Sequence, residues 1–283
     1  MKNNELRIQI TRKMTFPILY ELDLLANEEE CLTEEEIAAV AKAAASLGIK
    51  KIRLTGGEPL EREGLESIIK TIKSIEGIEN LSMTTTGIGL ADRAVALKEA
   101  GLDSVDVRLD TFYQEKYIFL TGGGSIDAAM DGMEACVNLG LKPVRALNTI
   151  ISGLNDDEIF DFAQLSLNEP IEVVYVGKPD RGNINNSDKV DREMKFLPAE
   201  EARKKFKGAM DVPEKDPLLN SIKWFEARSK ISFLSAERGM EFGAEVLCNG
   251  SLKSSLYDDA PIDISEAIKT LDPKVIAEKL SGI

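Results

Sequence analysis

Apolar and polar positions along the first 177 residues fall into two alternating rhythms. Leu6-Arg7-Ile8-Gln9-Ile10-Thr11 alternates strictly, a period of two that predicts a strand. Thr33 with Glu36 three residues on forms a capping box, and apolar spacing of helical period then runs to Leu47-Gly48. Residues 51–55 predict a second strand around Ile52 and Leu54, and a helix over about 64–75 carries Ile68, Ile69, Ile72 and Ile75 on one face. The pattern repeats: a strand at 79–85, a helix at 91–100 ended by Gly101, a strand at 104–110, and a helix at about 126–139 ended by Gly140. A fifth strand covers 144–151, Asn155 is the predicted cap of the next helix, and a sixth strand covers 171–177. Six β-α units in series predict an α/β fold: a parallel sheet with right-handed crossovers, closed or partly closed as a (βα)6 barrel.

Near residue 178 the alternation stops. Residues 180–191 are polar and rich in Gly and Asn, a helix is predicted from Leu197-Pro198-Ala199-Glu200-Glu201, and two strand-like runs lie around 231–234 and 244–257. The second contains Asn249-Gly250, a hairpin signal. The chain thus divides into a barrel, 1–178, and an α+β cap packed on it, 179–283.

Composition narrows the function classes. At 283 residues, 43% hydrophobic and 30% charged, the chain has ample material for a buried core. No apolar run approaches a membrane span, and Met1-Lys2-Asn3-Asn4-Glu5 does not resemble a signal peptide. A net charge of −14 argues against a nucleic-acid polymer as partner, which needs a basic face. Cys31, Cys136 and Cys248 are odd in number and far apart, predicting neither a disulfide framework nor a clustered metal motif, and a cytoplasmic location. The absence of histidine excludes a Ser-His-Asp triad and histidine-ligated metals.

The stretch with most chemical character is Lys51 to Leu60, where a strand breaks into Gly56-Gly57-Glu58-Pro59. Paired glycines permit a tight turn and close backbone approach, and Glu58 is placed at the carboxyl end of a strand, where α/β sheets and barrels put ligands.

Several stretches in order resemble the radical S-adenosylmethionine enzymes, and within them the GTP 3′,8-cyclase family of molybdenum-cofactor biosynthesis. They are Leu6-Arg7-Ile8 to Thr11, Leu32-Thr33-Glu34-Glu35-Glu36-Ile37, Lys51 to Arg62, Thr84-Thr85-Thr86-Gly87, Val107-Arg108-Leu109-Asp110 and Gly153 to Ile159. The likeness covers about 5–177 well and 195–260 loosely. It implies a partial (βα)6 barrel with the cofactor lying across the strand ends. It also implies adenosylmethionine contacts at Gly56, Gly57, Glu58, Pro59, Thr84 and Thr85.

The chain departs from the family at the three cysteines that hold the 4Fe-4S cluster: the matching positions are Met14, Ile18 and Glu21. In the C-terminal part, Arg238-Gly239-Met240-Glu241 and Ser255 stand where further cysteines belong, Cys248 falls off the pattern, and the tail reads Ser281-Gly282-Ile283. Arg108 replaces a serine and Thr86 an asparagine. The expectation from these departures is a protein without an iron–sulfur cluster and with weakened adenosylmethionine binding, not a working radical enzyme or GTP cyclase.

Lys13, Lys51, Arg53, Arg62, Arg108 and Arg145, with Arg12, are then expected near the barrel mouth. Guanidinium forks suit phosphate or carboxylate, which predicts an anion site for a small anionic molecule or nucleotide. The alternative is that several are ion-pair partners, Arg53 above all. Two readings follow: a binding or regulatory protein holding such a ligand or a partner chain, or a non-radical enzyme. The enzyme would act on adenosylmethionine or a phosphorylated substrate, using Glu58, Asp110, Glu21, Tyr20 or Tyr175 as acid/base groups.

Overall fold

The computed structural model describes residues 4–19, 31–177, 194–198, 231–234, 243–254 and 260–282. Six strands appear where the alternation predicts them: β1 (Glu5–Thr11), β2 (Lys51–Gly56), β3 (Asn80–Thr85), β4 (Ser104–Arg108), β5 (Val144–Thr149) and β6 (Ile171–Val176). They pair in chain order and all in parallel. Between them run α1 (Glu34–Ser46), α2 (Leu65–Lys73), α3 (Leu90–Ala100), α4 (Gln114–Thr121), α5 (Ile126–Asn138) and, before β6, α6 (Ile159–Asn168). The result is a partial (βα)6 barrel of the kind the alternation implies.

Strand parity builds two different surfaces. Leu6, Ile8, Ile52, Leu54, Leu81, Met83, Val105 and Val107 are fully buried and share one core with helix residues such as Ile37, Val40, Ile68, Ile72 and Leu97. The intervening residues, Arg7, Arg53, Ser82 and Asp106 among them, face the barrel interior, because successive side chains on a strand point to opposite faces. Helix α1 starts as expected: Thr33 accepts the Glu36 backbone N–H, and the Glu36 carboxylate accepts that of Thr33.

Four details differ from the sequence reading. Helix α4 is not predicted by periodicity, because apolar residues lie on both of its faces: Tyr117 and Leu120 are buried while Ile118 and Phe119 are exposed. Asn155 does not cap α6, which starts after Glu158; its side chain instead accepts Ile151 N–H and donates to the carbonyls of Asp110 and Thr149. Cys31 and Cys248 are joined as a disulfide across a sequence separation of 217, against the expectation of none; spacing along the chain says nothing of this pairing, since the fold brings the two ends together. Finally β7 (Ile231–Leu234) pairs in parallel with β6, so the sheet continues past the sixth strand.

At the other edge β8 (Ala244–Val246) pairs in parallel with β1 and forms a hairpin with β9 (Ser251–Lys253) around Asn249-Gly250, where Gly250 takes φ +79°. Strand β10 (Ile262–Asp263) closes that edge, followed by α7 (Ser265–Lys269) and α8 (Pro273–Leu280), which buries Ile276 and Leu280. The helix predicted from Leu197 and the polar run at 180–191 lie outside the described residues apart from Leu197-Pro198. No helix among the described residues is long and apolar enough to cross a membrane.

Candidate functional site

Strand β2 ends at a turn that is pressed against the strand beside it. The Gly57 N–H donates to Thr11 O at 2.9 Å and the Glu58 N–H to Lys13 O at 2.7 Å. Gly56 sits at φ +152°, and a Cβ on Gly56 or Gly57 would collide with the carbonyl oxygens of Thr11 or Lys13. The glycines therefore admit a close approach, as their type suggests, but the visitor is the backbone of the loop after β1. Glu58 is extended, as its position before proline requires, and Pro59 opens a single 3-10 turn, Pro59–Glu61.

Glu58 is 4% exposed and both of its carboxylate oxygens are occupied. One accepts from Leu60 N–H (3.0 Å) and Thr85 Oγ1 (2.6 Å), the other from Thr86 N–H (2.7 Å) and Thr86 Oγ1 (2.6 Å). It thus staples the turn after β2 to the end of β3. A buried carboxylate is stable only when its lone pairs are met in this way.

The same device recurs around the rim. Asp110 accepts Thr149 N–H at 2.7 Å, joining the ends of β4 and β5. Glu158, 1% exposed, accepts from Thr111 Oγ1, Phe112 N–H (2.7 Å) and Lys116 Nζ (2.8 Å), tying the segment after β4 to the start of α6. Each carboxylate takes donors from a neighbouring loop, so the carboxyl ends of β2 and β3, and of β4 and β5, are cross-linked at the rim.

Below the rim the barrel interior is filled by paired charges. Arg53 reaches Glu5 at 3.0 Å and Asp106; Arg145 reaches Asp106 at 3.4 Å and Glu172 at 2.9 Å. Arg7 lies 3.5 Å from Glu245, which also accepts from Thr55. Burial alone would raise the Glu5 carboxyl, but the Arg53 guanidinium overcomes it and holds the group below the usual carboxylate range. Burial lowers the Arg53 guanidinium against the pull of Glu5, from a value so high that it stays charged.

The six predicted cations therefore do not meet at one point. Lys51 is exposed at the amino end of β2, about 16 Å of strand away from Gly56. Arg53 and Arg145 are ion-paired inside the barrel, and Arg62 donates to Leu32 O at 2.8 Å. Lys13, exposed, and Arg108, half-buried at the last position of β4, stand at the rim beside the Glu58 turn and Asp110. Among the acid/base candidates, Tyr175 faces away from the interior: it is fully buried behind α6 and donates to Ile159 O at 2.6 Å, and burial pushes its phenol up. Tyr20 and Glu21 lie outside the described residues. Thr84 and Thr85 are both buried at the end of β3.

Two residues of the rim escape sequence reasoning. Glu158 is read only as part of the run Gly153 to Ile159, with no role of its own, until α6 sets it against Thr111. Tyr117 lies in a helix that periodicity does not predict, and its hydroxyl is buried with no hydrogen-bond partner among the described residues. Neither carries a local signal, because what distinguishes them is their tertiary neighbours.

The loop after β1 is held differently. Ile18 is 2% exposed and forms a small cluster with Leu120 and Ile151, against which Met14, Leu154, Met194 and Phe196 pack. The family resemblance puts the thiolates of a 4Fe-4S cluster at positions 14, 18 and 21. Met14 and Ile18 supply a thioether and an alkyl chain committed to packing, so the described residues of this loop do not fit such a cluster.

Comparison with known proteins assigns the chain. A family model described as the radical SAM superfamily matches residues 27–166. The GTP 3′,8-cyclase of Alkaliphilus oremlandii is 35% identical over 263 residues, 90% of this chain and 80% of the relative. That of Pelotomaculum thermopropionicum is 33% identical, covering 94% of this chain and 85% of the relative, and that of Moorella thermoacetica 32% identical, covering 96% and 86%. Among solved structures, Streptococcus suis SuiB superposes with a TM-score of 0.67 at 13% identity, over 99% of this chain and 68% of that one, which speaks for the fold alone.

These matches correct three expectations drawn from the missing cysteines. Relatives named GTP 3′,8-cyclase extend over most of the chain, which overturns the reading as a binding or regulatory protein and the alternative of a non-radical enzyme. They equally overturn the statement that it is not a working enzyme of its family. The exclusion of an iron–sulfur cluster, drawn from positions 14, 18 and 21 and from the C-terminal part, falls with them, because the chain matches the radical SAM family model and GTP 3′,8-cyclases over most of its length. The chain belongs to the radical S-adenosylmethionine superfamily, as a relative of the GTP 3′,8-cyclases.

Proposed function

We propose that this protein is an enzyme of the GTP 3′,8-cyclase kind, taking GTP as substrate and S-adenosylmethionine as co-substrate at the carboxyl ends of the strands. The observation that carries the reading is identity of 32–35% to three relatives of that name over 80–86% of their lengths. The division into a barrel, 1–178, and a C-terminal cap, 179–283, belongs to the same reading.

The rim supports it chemically. Gly56, Gly57, Glu58 and Pro59 form the floor of the co-substrate site, with Thr84 and Thr85 beside it. Glu58 and its three donors on Thr85 and Thr86 hold that floor in one conformation before any ligand arrives, which lowers the ordering cost of binding. Lys13 and Arg108 place positive charge at the rim, where it attracts a triphosphate, while Arg53 and Arg145 keep the interior charges beneath neutralised. An iron–sulfur cluster, when bound, supplies the electron chemistry of the family. Met14 and Ile18 do not provide its ligands, and the positioning by Glu58 and the charge of Lys13 and Arg108 act independently of it.

Calorimetric titration with GTP and with S-adenosylmethionine, followed by an anaerobic assay for the cyclised nucleotide, tests the reading. Binding of both and formation of product are expected. A protein that binds neither, or that binds both and forms no product after anaerobic reconstitution with iron and sulfide, overturns it.

A further inference from the structure

We propose that the phenolic hydroxyl of Tyr117 is a ligand-binding group of the barrel mouth, donating its proton to an oxygen or nitrogen acceptor on the bound S-adenosylmethionine. The proposal rests on the co-substrate site described above and adds to it a residue from α4. Tyr117 is 2% exposed and its hydroxyl has no partner among the described residues. A hydroxyl buried in this way is less stable than one that is hydrogen-bonded. Phenylalanine would fill the same space without that cost, so an oxygen here calls for a partner beyond the described residues.

The position of the ring says where the partner sits. Helix α4 follows β4 at the rim, and the residues just after it are wedged among the neighbouring loops. A Cβ on Gly124 would lie 2.6 Å from Ile88 Cδ1 of the loop after β3, 3.6 Å from Phe16 Cγ of the loop after β1 and 3.5 Å from Tyr117 Cε1. Cε1 is bonded to the carbon that bears the hydroxyl. The ring edge of Tyr117 thus lies beside Gly124, where Phe16 of the loop after β1 and Ile88 of the loop after β3 also pack, and Asp110 and Glu58 of the rim are near enough to act on its hydroxyl.

The surroundings also select the kind of ligand. Burial first, then the carboxylates of Asp110 and Glu58, push the phenol well above its ordinary range, so it remains a proton donor at any physiological pH. Two carboxylates acting on one hydroxyl repel a triphosphate at that spot and favour a molecule carrying positive charge. Adenosylmethionine, with a sulfonium and an ammonium beside its neutral and carboxylate acceptors, has that charge; GTP does not.

Tyr117→Phe removes the oxygen and nothing else. The expected result is a melting temperature equal to or above that of the wild type without ligand, S-adenosylmethionine affinity lowered about 5- to 20-fold, and GTP affinity unchanged. Equal affinity of both proteins for S-adenosylmethionine overturns the proposal and leaves the co-substrate site standing, since the hydroxyl would then be met by water. A lowered melting temperature without ligand also overturns it, because the oxygen would be structural. A larger loss for GTP than for S-adenosylmethionine overturns the assignment of ligand. Failure of the wild type to bind S-adenosylmethionine removes both the site and the proposal.

Discussion

The loop after β1 and the turn after β2 lie side by side on the rim, yet they are held by opposite kinds of interaction. The turn is polar and saturated: Glu58 gathers four donors, and two glycines let the neighbouring backbone come within hydrogen-bond distance. The loop is apolar: Ile18 and Met14 sink into a cluster with Leu120, Ile151 and Phe196. Directional bonds fix a group in one geometry, whereas packing fixes a volume and tolerates substitutions that preserve it. The turn is thus built for position and the loop for adhesion.

Three truncations test that contrast, in order of size, with one volume-conserving control. Glu58→Ala strips the partner from Thr85 Oγ1, Thr86 N–H and Thr86 Oγ1, all buried, and should cost about 3 kcal/mol in denaturant titration. A loss under about 1 kcal/mol would show that the staple between the two strand ends carries little. Ile18→Ala leaves a cavity in a small cluster at the edge of the core and should cost about 2 kcal/mol, the lower end for such truncations, because the loop can partly collapse. Ile18→Leu keeps the volume and should be nearly neutral; a cost as large as that of the alanine variant would mean the loop depends on geometry after all. Among the truncations the smallest effect belongs to Glu61→Ala. Its carboxylate accepts Thr15 N–H at 2.6 Å and links the two regions through an exposed bond, expected to contribute less than about 1 kcal/mol. A shift of several degrees in melting temperature would instead make that link the main connection between turn and loop.

How much of the molecule is legible in its sequence differs by element. The six strands, the α1 capping box and the Asn249-Gly250 hairpin follow from period, caps and turn residues, which are local properties. Helix α4 does not follow, because its apolar residues occupy both faces and only packing decides which are buried. In the site, Glu58 is recognisable from its place after two glycines at a strand end. The destination of its carboxylate is not, nor is the difference between Arg108 at the rim and Arg53 paired inside with Glu5 and Asp106. The missing cysteines are also plain to read, but the inference drawn from them about the whole protein is corrected by the relatives.

The sequence by itself determined the alternation of strand and helix, the parity that sends Leu6, Ile8 and Ile52 to the helices and Arg7 and Arg53 to the interior, and the family. Those features depend on neighbours within a few residues, or on likeness along the whole chain. Only the tertiary structure decided that Cys31 meets Cys248, that Asn155 serves the β4 and β5 ends rather than a helix cap, and that the buried hydroxyl of Tyr117 has no partner among the described residues. Each of these depends on distances between segments far apart in the chain, and burial changes the energy of a polar group by more than any local propensity does.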